Sequence, residues 1–287
     1  EPEQPPDAYI NDSFITSSGA LIINDDVDYD PNNKVYYSGY FGDYTVGGQV
    51  INKEFVTEPK YKSAASPEVF EKTTYPDLQS TGATEDRPLS NWNITNGQYW
   101  AAKASFAGTK ISVANNTVLL IGEQMGIGYM LYKNFLTMDN VEITVPKGKT
   151  LEFIICDYGN IKDYNNVVLN NITIKGGGQV SFISGGSIAA NSIKSVDNSR
   201  ILFIANKNLN MSDPFINADK QLDGGCFLSS AGNMQMLVSG NVTATFYGQM
   251  QSAGLIGIGG STGKLVLRFN KIGEKLKMPN MYYLRAA

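Results

Sequence analysis

The chain has 287 residues, 42% of them hydrophobic but only 17% charged, with a formal net charge of −4. That size and apolar content allow one large domain or two smaller ones. The acidic balance, with only Arg87, Arg200, Arg268 and Arg285 as arginines, argues against a nucleic-acid binder. The lack of histidine removes the commonest general base and metal ligand together, and no apolar run is long enough to span a bilayer. The 29 glycines, with plentiful Asn, Ser and Thr, suit a turn-rich β protein with a polar, weakly charged surface.

In chain order, residues 1–13 open with EPEQPPD and read as a polar, proline-rich tether. A single domain over 14–287 is expected after it. Residues 14–50 carry two apolar stretches with strand character, FITSSGALIIND and KVYYSGYFGDYTVGGQV. Tyr29, Tyr36, Tyr37, Tyr40 and Tyr44 crowd here with Phe41. Such rings cover the end of a β core or line a sugar-binding surface, since Tyr combines strand propensity with a polar tip. Tyr37 and Tyr40 are therefore candidate ligand-binding residues.

Between these stretches, Asp26, Asp28, Asp30 and Asn32 alternate along the chain. That spacing turns oxygen ligands to one side of a loop, as calcium requires. Counted from Asp26, the sixth and twelfth positions are Pro31 and Tyr37, so the EF-hand pattern fails. A different calcium loop and a solvated acidic turn both stay open.

Residues 53–108 hold Pro59, Pro67, Pro76 and Pro88 and show poor apolar periodicity. They read as an irregular excursion packed on the main body, with a short helix start at Ser66-Pro67-Glu68. Trp92 and Trp100 serve there as loop anchors or as a ligand platform.

From Lys110, short strands follow one another almost without break: KISVAN, TVLLIG, GYMLYK, VEITV, LEFIIC, VVLNNITI, QVSFIS and RILFIAN. Their period-2 alternation continues through Val242–Tyr247 and Leu265–Phe269. Strands this short need stacked neighbours, which is the logic of a solenoid. Phe153, Phe182, Phe203, Phe227, Phe246 and Phe269 recur at gaps of 29, 21, 24, 19 and 23 residues. Each gap is about one turn of a three-sided coil, so the rings are expected to stack as a ladder. Asn140-Val141, Asn171-Ile172 and Asn241-Val242 mark recurrent corners.

The glycine-rich GIGGSTGK lacks the spacing of a phosphate loop: Ile258 stands where glycine is required and Leu265 follows Lys264. Its G-x-S-x-G match has no histidine to serve it. These glycines read as corners between coils. Glu152, Asp157, Asp163 and Asp223 are the carboxylates from which a glycan-cleaving pair would be drawn, but no spacing selects two of them. Cys156 and Cys226 lie beside apolar runs, as two buried thiols or as a disulfide. The tail from Lys271 carries a basic tilt and one helical turn, and is expected to cap the open end of the stack.

The Phe-Ile rungs and the Asn and Gly corners, such as Ser239-Gly240-Asn241-Val242-Thr243, resemble the right-handed parallel β-helix regions of bacterial surface proteins. The start Glu1–Asp7 is similar to the tether of Bacteroidetes surface lipoproteins. This resemblance implies an extracellular or cell-surface adhesin, with a partner protein, a glycan or further copies of itself as partners. The expected fold is thus an all-β parallel β-helix, or solenoid, with a β-sandwich pair as the alternative. The expected function is a non-enzymatic structural or adhesive role, against a polysaccharide lyase or hydrolase and a filament subunit.

Overall fold

The computed structural model describes residues 15–17, 21–23, 27–29, 35–37, 45–46, 49–50, 89–94, 98–101, 103–121, 135–155, 165–216, 224–260, 263–270 and 272–277. Its first strands are β1 (Ile15–Ser17), β2 (Leu21–Ile23), β3 (Val27–Tyr29), β4 (Val35–Tyr37), β5 (Thr45–Val46) and β6 (Gln49–Val50). The body begins with β7 (Leu89–Ile94), β8 (Gln98–Ala101), β9 (Ala104–Val113), β10 (Thr117–Ile121), β11 (Leu136–Thr144) and β12 (Thr150–Ile155). It continues with β13 (Asn165–Lys175), β14 (Gln179–Ser184), β15 (Ser187–Ser195), β16 (Arg200–Ala205), β17 (Leu209–Ser212) and β18 (Phe215–Ile216). The last strands are β19 (Gly225–Ser230), β20 (Met234–Val238), β21 (Thr243–Ser252), β22 (Ile256–Gly260) and β23 (Lys264–Phe269), followed by a 3-10 turn over Ile272–Lys275.

Nearly all pairings are parallel and join strands one coil apart, which is the connectivity of a parallel β-solenoid. On one wall β8, β10, β12, β14, β16, β19, β21, β1 and β4 lie side by side in that order. The long strands β9, β11, β13 and β15 each cover a second wall and then bend onto a third. Their bends fall at Gly108, Asn140, Asn171 and Ser192, whose φ values of 60°, 54°, 52° and 55° are left-handed. Asn tolerates that conformation better than other side chains do. The Asn171 amide also donates to Asn140 Oδ1 at 2.5 Å, so the corner forms a short polar ladder. This is the physical basis of the Asn-Val and Asn-Ile corners at 140 and 171.

The interior is apolar and continuous. Along the first wall, the inward column runs Tyr99, Leu119, Phe153, Phe182, Phe203, Leu228, Met250, Ile15 and Val35, all buried. Phe153 and Phe182 stack at 5.0 Å, and Phe182 and Phe203 at 5.1 Å. The ladder expected from sequence therefore has three rungs. Phe203 pairs with Leu228, so Phe227 is one residue out of step and points to the outer face of the wall. Phe246 lies in the first half of β21, above Leu267 on the third wall. Because side chains alternate at period 2, a shift of one residue moves a ring from core to outside while leaving the spacing near one coil.

Two further expectations change. Residues 89–108 form β7, β8 and the start of β9 within the coils, so the irregular excursion does not extend through 53–108. Gly257, Gly259 and Gly260 lie inside β22, paired with β20, and are strand residues and not corners.

Candidate functional site

The N-terminal coil does not begin the stack. It closes the other end. β1 pairs with β21, β2 with β22 and β3 with β23, all parallel. From Ile15↔Met250 to Ile23↔Ile258 the partners differ by a constant 235 residues (250 less 15, 258 less 23). The two segments share a corner. Ser17 pairs with Ser252, which pairs with Ser230.

At the corners at 230 and 252, the serine side chain is buried and braces two backbone groups that also bond each other. Ser252 Oγ accepts from Gly254 N–H at 3.2 Å and donates to the Gly232 carbonyl at 2.7 Å. Ser230 Oγ accepts from Gly232 N–H at 3.2 Å and donates to the Lys207 carbonyl at 2.6 Å. Ser17 Oγ donates to the Gly254 carbonyl at 2.9 Å, carrying the pattern across the junction. Glycine is needed two residues on because a Cβ at Gly254 would come within 2.8 Å of Gly232 O. The S-x-G recurrence at 17, 184, 230 and 252 is a signal in the sequence that phenylalanine spacing obscured.

A charged clamp holds β3 on β23. Arg268 meets Asp28 through both guanidinium nitrogens, Nη1 to Oδ1 and Nη2 to Oδ2 at 3.1 Å each, and Nη1 also reaches the Asp28 carbonyl at 3.1 Å. Lys264 Nζ stands 3.8 Å from Asp28 Oδ2. The hydrogen bond from Arg268 is the main reason the Asp28 carboxyl is held below the usual range. Of the candidate calcium ligands, Asp28 is thus occupied by an arginine, while Asp26, Asp30 and Asn32 lie outside the described residues. No group of three or more Cys, Asp or Glu side chains among the described residues is placed to hold a metal.

Two of the aromatic candidates stand on strands far apart. Tyr37 lies in β4 and Trp100 in β8, at opposite ends of the nine-strand wall. Eight steps of about 4.8 Å separate them by roughly 38 Å. Trp92 pairs with Ile111 on the third wall, and Tyr40 lies outside the described residues.

Of the tail expected to cap the stack, residues 272–277 strap the outside of the first wall, and Lys271 and residues 278–287 lie outside the described residues. Asn270 bonds the Gly224 carbonyl, Arg200 the Lys275 carbonyl, and Lys277 Nζ the Gly148 carbonyl at 3.2 Å. The Gln179 amide clasps Lys277 at two points, accepting its N–H at 2.8 Å and donating to its carbonyl at 2.6 Å. Ile272 and Leu276 pack against an outer apolar stripe of Leu120, Ile154, Ile183, Leu202, Ile204 and Phe227. That stripe reconciles the one-residue offset of Phe227 with its complete burial.

Among the carboxylates, Glu152 is half-buried on the same outer wall, and burial raises its pKa. Asp157, Asp163 and Asp223 lie outside the described residues. Cys226 is a free thiol in the core, pushed well above its usual value by burial; Cys156 lies outside the described residues. Among the described residues no helix is long and apolar enough to cross a membrane. Comparison with protein-family models, curated proteins and solved structures finds no match to this chain.

Proposed function

We propose that this chain is a non-enzymatic structural or adhesive protein of the bacterial cell surface, whose solenoid walls meet a partner protein, a glycan or further copies of itself. The observation that supports this reading is the nine-strand parallel wall, filled by one continuous column, with β1 paired onto it and Lys277 bound across its outside. Such an object is stiff along its axis and presents long walls of regularly spaced side chains, which suits contact more than turnover. A screen of immobilised glycans, run for binding and for cleavage with calcium present or chelated, tests it. Binding without cleavage is the expected result, and cleavage of any glycan would overturn the non-enzymatic reading. Calcium-dependent binding or stability would assign the Asp26–Asn32 loop to the metal.

A second reading, a polysaccharide lyase or hydrolase, draws on the raised pKa of Glu152, because a proton donor needs a carboxyl that stays protonated. It requires that Glu152→Gln remove any turnover found.

A further inference from the structure

The coil formed by β1, β2 and β3 meets the body through segments that are remote in sequence: Met250–Ser252, Ile256–Ile258 and Leu265–Leu267. We infer that β1–β3, with β4 and β5 stacked beyond them, form an exchangeable end piece that covers the last coil of a second copy as it covers its own, joining copies head to tail. This deepens the self-association arm of the function proposed above and rests on that reading only for its biological setting.

Three observations carry it. First, the joint is complete in itself. Three strands, the Ser17–Gly254 hydrogen bond and the Arg268–Asp28 fork all lie between the coil and β21–β23. None of these contacts depends on which chain supplies the coil.

Second, the coil repeats the last coils in kind. Ser17 stands in register with Ser252 and Ser230, and its hydroxyl donates to the Gly254 carbonyl as Ser252 donates to the Gly232 carbonyl, so the surface β1–β3 cover is built to receive another coil.

Third, the covalent connection does not select the partner. β4 and β8 stand at opposite ends of the wall, roughly 38 Å apart at about 4.8 Å per strand. Residues 51–88 join these regions and reach up to about 125 Å when extended. Both chain arrangements make the same contacts, so the effective concentration of the tethered coil sets the ratio between them.

Ile22 and Gly257 face each other across the joint; Ile22 is 50% exposed, and a Cβ at Gly257 meets nothing nearer than Leu255 at 3.6 Å. In full-length chains carrying Cys156→Ser, Ile22→Cys and Gly257→Cys are made singly, with different tags, and together. The double variant, oxidised when dilute, is expected to close within one chain; failure to close overturns the junction itself. The two single variants, unfolded together and refolded at about millimolar protein, are expected to form a disulfide-linked pair carrying both tags. Below that concentration the yield rises about tenfold for a tenfold rise in protein. Ile22→Cys mixed with Leu237→Cys, exposed but not opposite, measures random collision. No mixed pair, or a yield no higher than that control, overturns exchange while leaving the glycan and partner-protein arms intact.

Discussion

Replacing Phe182 by alanine tests the central claim about the core. Phe182 is fully buried, with Phe153 stacked at 5.0 Å on one side and Phe203 at 5.1 Å on the other. Removing a buried Phe side chain costs about 3–5 kcal/mol, and each stacked pair contributes about 0.5–1.5 kcal/mol beyond burial. Phe246 is buried to the same degree, with no ring stacked on it among the described residues. Phe182→Ala is therefore expected at the top of that range, about 1–3 kcal/mol costlier than Phe246→Ala. In a solenoid the loss concentrates in neighbouring coils. Hydrogen exchange should accelerate in β12, β14 and β16 by about a thousandfold, because each 1.4 kcal/mol is roughly a factor of ten. Guanidinium unfolding gives the global comparison. The reasoning is refuted if Phe182→Ala costs no more than Phe246→Ala, or if exchange quickens as much in β22 and β23 as in those three strands.

Gly248→Ala should be among the most damaging single changes. Its φ is +157° and a Cβ would lie 1.8 Å from the Cys226 carbonyl oxygen, so a loss above about 3 kcal/mol or failure to fold is expected in thermal melts. Ser230→Ala removes a buried hydroxyl that braces the Gly232 N–H and the Lys207 carbonyl, which stay bonded to each other, and should cost about 0.5–1.5 kcal/mol in thermal melts, whereas exposed Ser239 changed to alanine should cost less. The two shifted carboxyls act in opposite directions with pH. Asp28 is depressed, so its stabilisation is present above about pH 4 and lost as pH falls through the folded value. It amounts to under about 1 kcal/mol, because both partners are more than a third exposed. Glu152 is raised, so the fold loses stability as pH rises from about 4.3 through the folded value. Glu152→Gln should then raise the melting temperature at neutral pH, and an unchanged or lower value there counts against the assignment.

Local alternation and corner chemistry made the solenoid legible. Thr243–Phe246 and Leu265–Phe269 alternate at period 2, and Asn140 and Asn171 tolerate the left-handed corner, because both are properties of residues adjacent in the chain. Phenylalanine spacing correctly indicated one coil per repeat but not which wall or side each ring occupies. Phe227 and Phe246 show why: at Phe227 a one-residue shift leaves the spacing nearly unchanged and reverses the side chain, while Phe246 keeps a core position but on another wall. The site-level expectations were less legible. Tyr37 and Trp100 carry similar local chemistry, yet the stack places them at opposite ends of a wall.

The sequence by itself thus determined the all-β class, the coil length and the corners, since strand alternation and turn preference are local. Only the tertiary structure decided that the first coil closes the far end, with Asp28 against Arg268, and that the tail straps the outer stripe through Gln179 and Arg200. Those choices join residues more than two hundred apart in one case and about a hundred in the other. They depend on which exposed edge or apolar stripe the finished stack leaves to be covered, and no local preference encodes that.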